Sequence, residues 1–174
     1  MSGPPNQDAT LEAARAAARR LARQAHQVGY ASGDDPVRAV LRRITGGRYG
    51  RTSGWPVVVP RLDTPWQDTI SPERTGWRQR AANLNGESAF EVDYRVCLVC
   101  HAGWVEQPHT SEEYQRCGLA TAGLAALRVE NPGLTWHTPG SHWRKSRSFW
   151  AAVGADVPGH YRQREPCAHF RNSF

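Results

Sequence analysis

Apolar residues recur every three or four positions over residues 8–28, as one face of an amphipathic helix requires. This face is mostly alanine, so it buries little area per turn. A second helix is predicted where Asp35 supplies an N-cap and Pro36 occupies the first helical position. A glycine pair at 46–47 ends that helix. The N-terminal part of the chain is therefore expected to be largely helical.

The following stretch, residues 48–75, is rich in glycine, proline, arginine and tryptophan and predicts mainly loop. Within it, only residues 56–60 predict a strand, and the prolines confine that strand to a sheet edge. Residues 77–84 and 89–99 then predict two antiparallel strands. The Asn85-Gly86 pair between them is a strong signal for a hairpin turn.

The last part of the chain predicts strands and helices in alternation. Residues 102–107 predict a third strand, and residues 118–130 a helix that is apolar on nearly all faces and therefore buried. Residues 134–138 predict the next strand, and residues 141–153 a final helix that ends at Gly154. The β-α-β order makes the two strands parallel neighbours, with the helix as their crossover.

The chain length and composition suit one domain. The chain has 174 residues, of which 39% are apolar, and this makes two independent cores unexpected. A mean hydropathy of -0.64 and the lack of a long apolar run argue against a membrane span. The first residues show no secretory leader, so we expect a reducing cytoplasm. The four cysteines are then expected to be thiols or metal ligands.

The charge is basic, with 22 Lys+Arg against 16 Asp+Glu and a formal net charge of +6. Such a charge permits attraction to nucleic acid or to CoA phosphates, but it establishes neither partner. Arg15, Arg19 and Arg23 form a stripe on the first helix. A stripe of this kind more often indicates a solvated helix face than a phosphate site.

The most informative stretch is Tyr-Gln-Arg-Cys-Gly-Leu-Ala at residues 114–120, between a predicted strand and the buried helix. Gly118 lets the backbone approach a ligand closely. The unpaired amides at a helix N-terminus, together with the helix dipole, favour phosphate. We therefore predict that this stretch binds a pyrophosphate.

The motif Gln-x-x-Gly-x-Ala at residues 115–120 precedes an apolar helix, a strand and then Phe-Trp-x-x-x-Gly at residues 149–154. In this order the elements resemble the GCN5-related N-acetyltransferase superfamily. The resemblance covers about residues 88–160, which is under half of the chain. Residues 1–75 do not visibly match the opening strand and helices of that family.

The resemblance implies a single α/β (α+β) domain with a mixed, mainly antiparallel sheet flanked by helices. An acetyl-CoA-binding core is expected over residues 76–174, with an added helical, Pro/Gly-rich segment over residues 1–75. The implied activity is transfer of an acetyl group from acetyl-CoA to an amine by direct attack.

The resemblance also assigns the cofactor contacts. The residues whose backbone amides would hold the acetyl-CoA pyrophosphate are Arg116, Cys117, Gly118, Leu119 and Ala120, with Gln115 at the first motif position. Thr110 falls where the family's strand binds the pantetheine arm through its backbone. Pro108 has no N–H to contribute to that contact.

The family's usual proton donor is a tyrosine near the end of the last helix, and Trp150 occupies that position here. An indole is too weak an acid to protonate the CoA thiolate near neutral pH. Three possibilities are therefore open. Another acid protonates the thiolate, water protonates it, or the protein binds acyl-CoA without efficient transfer of the acyl group.

Three residues are candidates for acid or base chemistry. Glu106 lies on the strand that would line the substrate cleft, where a carboxylate can deprotonate an ammonium group directly or through water. A solvent-facing strand glutamate is the alternative. His137 and His142 can supply acid or base near neutral pH, and a structural role is the alternative for each.

A second group of residues has the chemistry of a metal site. Cys97-x-x-Cys100 allows two thiolates to face one cation, and Cys167-x-His169 lies near the chain end. A structural Cys3His zinc site and isolated thiols are the main alternatives, and a disulfide is the third. His101 and His109 are spare ligand candidates.

The family fold bears on that choice. In an acetyltransferase sheet the final strand runs antiparallel to the strand that contains Trp136. That direction would bring Cys167 and His169 towards the turn before Ala102. Cys117 belongs to the phosphate-binding stretch and is left out of the metal set.

The sequence thus predicts an acetyl-CoA-dependent N-acetyltransferase. Its acceptor would be a small amine, a protein N-terminus or lysine, or an aminoacyl-tRNA, and the arginine-rich helices favour a polyanionic acceptor only weakly. The alternative is a non-catalytic, zinc-stabilised basic module on the same scaffold that binds nucleic acid or a protein partner. Trp150 is the feature that favours the alternative.

Overall fold

The computed structural model describes residues 7–30 and 64–170. Its helices are α1 (Gln7–Ala22), α2 (Leu119–Glu130) and α3 (Arg147–Gly154). Its strands are β1 (Val28–Tyr30), β2 (Trp66–Ile70), β3 (Arg78–Leu84), β4 (Glu87–Cys97), β5 (Ala102–Val105), β6 (His109–Thr110), β7 (Thr135–Thr138) and β8 (Arg162–Gln163). The helix predicted from Asp35 to the glycine pair and the strand predicted at residues 56–60 lie outside the described residues.

The eight described strands form one mixed sheet in the order β1-β2-β3-β4-β5-β7-β8, and β6 also pairs with β4. The pairings of β2–β3, β3–β4, β4–β5 and β4–β6 are antiparallel, whereas β1–β2, β5–β7 and β7–β8 are parallel. The β3–β4 hairpin turns at Asn85 and Gly86, whose φ angles are 53° and 83°. The predicted mixed, mainly antiparallel sheet flanked by helices is confirmed, and so is this turn.

Helix α2 is the crossover between the parallel strands β5 and β7, as the β-α-β order predicts. Gly103 of β5 lies directly opposite Trp136 of β7. A Cβ atom at Gly103 would lie 2.7 Å from the Trp136 ring, so this close packing requires glycine. The pairing ends at Trp104 and His137.

Helices α1 and α2 contact each other and contribute to the same hydrophobic core. The Trp66 indole N–H of β2 donates to the Leu21 carbonyl at 2.8 Å, which ties the sheet to α1. A Cβ atom at Gly123 in α2 would lie 2.7 Å from the Phe90 ring. In the described ranges, none of the helices combines the length and apolarity that a membrane span needs.

A buried ionic network fastens the sheet to the C-terminal end of α2. Arg80 and Asp68 are both fully buried, and Arg80 Nε donates to Asp68 Oδ2 at 2.9 Å. Arg80 also donates to the Glu130 carboxylate, and the Tyr94 hydroxyl donates to Asp68 at 2.7 Å. Burial raises the pKa of Tyr94, so its hydroxyl stays protonated as a donor.

Three sequence expectations about the elements are wrong. Val28 begins β1 instead of extending the first helix, because α1 ends at Ala22 and a turn follows. Strand β2 lies in the stretch interpreted as loop, where burial between β1 and β3 outweighs the loop-like composition. The final strand β8 runs parallel to β7, because residues 155–161 return the chain to the start of β7, where the Tyr161 N–H donates to the Trp136 carbonyl.

Candidate functional site

The first candidate site lies where β5 and β7 cease to pair. Gln107 follows β5, and its side-chain Oε1 accepts hydrogen bonds from the Trp150 indole N–H and the Ser146 hydroxyl, both at 3.1 Å. These bonds tie the end of β5 to the start of α3. The preceding Glu106 N–H donates to the Asp93 carbonyl on β4 at 2.9 Å, so strand alternation turns the Gln107 N–H away from β4.

Trp150 is packed as a structural residue. Only 1% of it is exposed, and its ring stacks on His142 with ring centroids 4.8 Å apart. His142 Nε2 lies 2.8 Å from the Tyr161 carbonyl oxygen. Since a carbonyl can only accept, the Nε2 of His142 carries the hydrogen in this contact. The indole N–H of Trp150 is hydrogen-bonded to the Gln107 side chain.

The loop predicted to bind phosphate contains two residues with left-handed φ angles. Gly118 caps α2 with a left-handed φ of 86°, and Arg116 has a φ of 61°. Gln115, Arg116 and Gly118 are exposed, whereas Cys117 and Leu119 are buried and anchor the loop. Exposed and buried residues thus alternate along the loop, and the buried ones, Cys117 and Leu119, belong to the hydrophobic core.

The first amides of α2 lack backbone hydrogen-bond partners in the described part of the chain. A helix leaves its first N–H groups without partners inside the helix. Within the described parts of the chain, the N–H groups of Gly118, Leu119 and Ala120 have no backbone acceptor outside α2 either. The Gln115 side chain donates to the Thr110 carbonyl at 3.3 Å, which fixes the loop against β6.

Glu106 lies in a cluster of polar and charged residues at the end of β5. Its carboxylate forms an ion pair with Arg74, whose guanidinium lies 5.1 Å from the centre of the Trp77 ring. On the neighbouring strand, Asp93 Oδ2 accepts from the Ser71 hydroxyl at 2.8 Å. The two carboxylates therefore occupy adjacent strands, and one arginine counterbalances Glu106.

The other oxygen of Asp93, Oδ1, is buried and has no hydrogen-bond partner among the described residues. Burial raises the pKa of Asp93, while the Ser71 hydrogen bond and the charge of Arg74 oppose the rise. The sequence analysis missed Asp93, because nothing in the sequence shows that its backbone pairs with Glu106 and its side chain with Ser71.

His137 lies apart from that cluster in its contacts. Its Nε2 is 3.1 Å from the Thr135 hydroxyl and 3.3 Å from Arg164 Nη1, and its ring packs near Trp104. Burial and the charge of Arg164 lower the pKa of His137, so the ring is neutral near pH 7. Its Nδ1 is buried without a partner in the described part of the chain.

The structure brings the predicted metal ligands together. The side-chain ligand atoms of Cys97, Cys100, Cys167 and His169 all lie within 4.8 Å of one another. His169 Nδ1 is 3.2 Å from Cys100 Sγ and 4.0 Å from Cys97 Sγ. The hydrogen bond with Cys167, followed by burial, raises the pKa of the Cys100 thiol to about 11.

The segment after β8 brings these ligands together by a route other than the expected antiparallel strand. The Trp104 indole N–H donates to the Arg164 carbonyl at 2.9 Å, and Arg164 lies 5.8 Å from the centre of the Trp104 ring. Trp104, Cys97 and Ala102 form a small core against which Cys100 and Cys167 pack. The chain end therefore passes over Trp104 to reach the β4–β5 turn.

Similarity to known proteins is found among solved structures. No family model and no curated protein matches the chain. Among solved structures, the chain is similar to an E. coli protein described as "Putative N-Acetyl Transferase YhhK", bound to coenzyme A. The match has a TM-score of 0.39 and 20% identity, and it covers 70% of this chain and 82% of the other. This similarity identifies no substrate for the present chain.

Proposed function

We propose that this protein is an N-acetyltransferase that moves an acetyl group from acetyl-CoA to an amine by direct attack. The observation that carries the proposal is the exposed loop at residues 115–120. Gly118 caps α2 with a left-handed φ, and in the described part of the chain the first amides of α2 have no backbone acceptor, in the connection between two parallel strands. The superfamily resemblance of the same residues gives the loop its ligand, the pyrophosphate of acetyl-CoA.

The proposed cofactor contacts use mainly backbone. The amides of residues 116–120 bind the pyrophosphate, and Gln115 holds the loop in shape through Thr110. The Thr110 backbone is proposed to contact the pantetheine arm. Exposed cations at Arg116 and at Arg144 and Lys145 before α3 add attraction for the phosphates.

The proposed reaction balances without a covalent enzyme intermediate. The amine nitrogen attacks the thioester carbonyl carbon, the C–S bond breaks, and CoA leaves as a thiolate. Glu106 accepts the proton that the amine loses, directly or through water. The outward Gln107 N–H is suited to polarise the thioester carbonyl. His137 is the second candidate base.

Trp150 is not assigned an acid role. Its N–H is buried and bonded to Gln107, and an indole does not lose its proton near neutral pH. A thiol has an ordinary pKa of about 8.5, so the leaving thiolate can take its proton from water. The proposal therefore requires positioning and a base, and no general acid.

Calorimetric titration with acetyl-CoA and a thiol-release assay over a panel of amines test the proposal together. We expect binding of acetyl-CoA and release of free CoA with at least one class of amine. Binding without turnover on any amine would remove the enzymatic part of the proposal. Absence of both, together with salt-sensitive binding of DNA or RNA, would support the non-catalytic basic module.

A further inference from the structure

The cysteine and histidine cluster lies outside the proposed acetyl-CoA site. Cys97 and Cys100 bracket the turn that joins β4 to β5, and Cys167 and His169 follow β8. None of the four belongs to the loop at residues 115–120 or to the group around Glu106. The cluster therefore needs an explanation of its own.

We propose that Cys97, Cys100, Cys167 and His169 bind one structural Zn²⁺ ion. Zinc in a tetrahedral site lies about 2.3 Å from sulfur and about 2.0 Å from nitrogen, which places neighbouring ligand atoms roughly 3.5–4 Å apart. The sulfur–nitrogen separations of 3.2 and 4.0 Å and the overall limit of 4.8 Å suit one ion at the centre. Four protein ligands leave no open position, so the site is structural and not catalytic.

The charge around the cluster suits the same ion. Three thiolates and a neutral histidine around Zn²⁺ leave one net negative charge. Arg95 lies on β4, two residues before Cys97, and interacts electrostatically with both Cys97 and Cys167. A half-buried cation beside the cluster thus offsets that charge.

The topology explains why the fold needs this ion. Strand β8 is short: Arg162 and Gln163 pair with β7, and the Tyr161 and Arg164 N–H groups on either side donate to β7 carbonyls. This pairing alone gives the segment after β8 little support. A metal bound by both the β4–β5 turn and the segment after β8 closes a loop that contains β5, α2, β7 and α3. Such a link restricts the unfolded chain and holds the last segment over Trp104.

Metal analysis of the purified full chain by mass spectrometry is the first test. We expect one zinc per chain after mild chelator washing, and loss to background in Cys167→Ser. The matched control is Cys117→Ser, which removes the remaining cysteine of the chain and should keep its zinc. His169→Cys should also keep zinc, because a thiolate replaces the imidazole. Circular dichroism confirms that each variant is folded.

Two further measurements identify the ion and its role. Replacement of zinc by Co²⁺ should give the intense visible bands of a tetrahedral site and a thiolate charge-transfer band that weakens in Cys167→Ser. A strong chelator should lower the melting temperature of the wild type by about 5 °C or more and leave that of Cys167→Ser unchanged.

A folded wild type that holds no zinc, or a Cys167→Ser variant that keeps all of it, would overturn the inference. Iron with a visible cluster spectrum would replace zinc by another metal and would equally refute it. These outcomes do not bear on acetyl-CoA binding, which is measured separately by calorimetry.

Discussion

The Trp150 indole N–H donates to the side-chain oxygen of Gln107 at 3.1 Å, and the Ser146 hydroxyl donates to the same atom. One glutamine oxygen thus joins the end of β5 to α3. The contact makes Trp150 a positioning residue for Gln107. Because its N–H is bonded to Gln107, Trp150 is not expected to protonate the leaving thiolate.

Trp150→Phe tests whether the indole N–H takes part in the reaction. The variant loses the indole N–H but keeps an aromatic ring against His142, and Gln107 keeps the Ser146 donor. We expect kcat to change by less than about threefold, because removal of a general acid would cost about 10²–10⁴-fold. Thiol-release kinetics with saturating acetyl-CoA measure the change. A hundredfold loss in a variant of normal stability would mean that the indole N–H takes part in the reaction.

Gly118→Ala should weaken acetyl-CoA binding. Both Gly118 and Gly133 have left-handed φ angles, of 86° and 77°, so alanine costs about 1–2 kcal/mol of stability at either position. Only Gly118 belongs to the proposed phosphate loop. We expect the Kd for acetyl-CoA to rise by about tenfold or more in Gly118→Ala and to stay unchanged in the Gly133→Ala control, as measured by calorimetry. An equal rise in Kd in the two variants would show that the loop does not bind acetyl-CoA.

Glu106→Gln should lower kcat by about 10²–10⁴-fold without changing the Kd for acetyl-CoA, because the amide cannot accept the amine proton. Rates measured over a range of pH distinguish the loss of a base from a structural effect. The loss should become smaller at high pH, where more of the acceptor amine is already neutral. Glu91→Gln on β4 is the control and should keep normal rates. A uniform loss at every pH would indicate that Glu106 only supports the fold through Arg74.

The raised pKa of Asp93 predicts how stability depends on pH. Its carboxyl binds protons more tightly in the folded state, so its contribution to the free energy of unfolding falls as pH rises from the ordinary carboxyl range through the raised pKa. Asp93→Asn removes this loss. Urea denaturation at several pH values should show that the free energy of unfolding of the variant increases relative to that of the wild type as pH rises. A constant difference, like that of the exposed Asp156→Asn control, would contradict the assignment.

The buried Arg80–Asp68 pair should be essential to folding. Asp68→Asn removes one negative partner and leaves the Arg80 guanidinium buried with Glu130 alone. We expect a loss of about 3–5 kcal/mol in the free energy of unfolding, measured by urea denaturation. The exposed pair of Glu12 with Arg15 provides the contrast, since Glu12→Gln should cost less than about 1 kcal/mol. Comparable losses in both variants would argue against a strongly coupled buried network.

Much of the C-terminal fold follows from local sequence signals. Asn85-Gly86 predicts its hairpin, the apolar run after Gly118 predicts its helix, and the β-α-β order predicts the parallel pairing of β5 with β7. The helix buries one face and not all of them, since Val129 is 80% exposed. Strand β2 could not be predicted in this way. Its Trp-Gln-Asp-Thr-Ile sequence is buried because β1 and β3 flank it. Asp68 is tolerated there because Arg78 and Arg80 pair with it and the Tyr94 hydroxyl donates to it.

The same distinction between local and long-range signals applies to the candidate sites. The Cys-x-x-Cys spacing and the Gln-x-x-Gly-x-Ala motif are local, so the sequence alone marks both as chemistry-bearing. The cluster of Asp93 with Ser71 and the bond from Trp150 to Gln107 join residues distant in the chain. No spacing rule predicts such contacts.

By itself, the sequence determined the elements that depend on neighbouring residues: the turns, the buried helix and the residue types able to bind phosphate or metal. Tertiary structure decided the direction of β8, the partner of the Trp150 indole and the meeting of Cys167 and His169 with the β4–β5 turn. The physical reason is that local signals fix backbone conformation over a few residues. The free energy of burying and pairing side chains decides which distant segments come together.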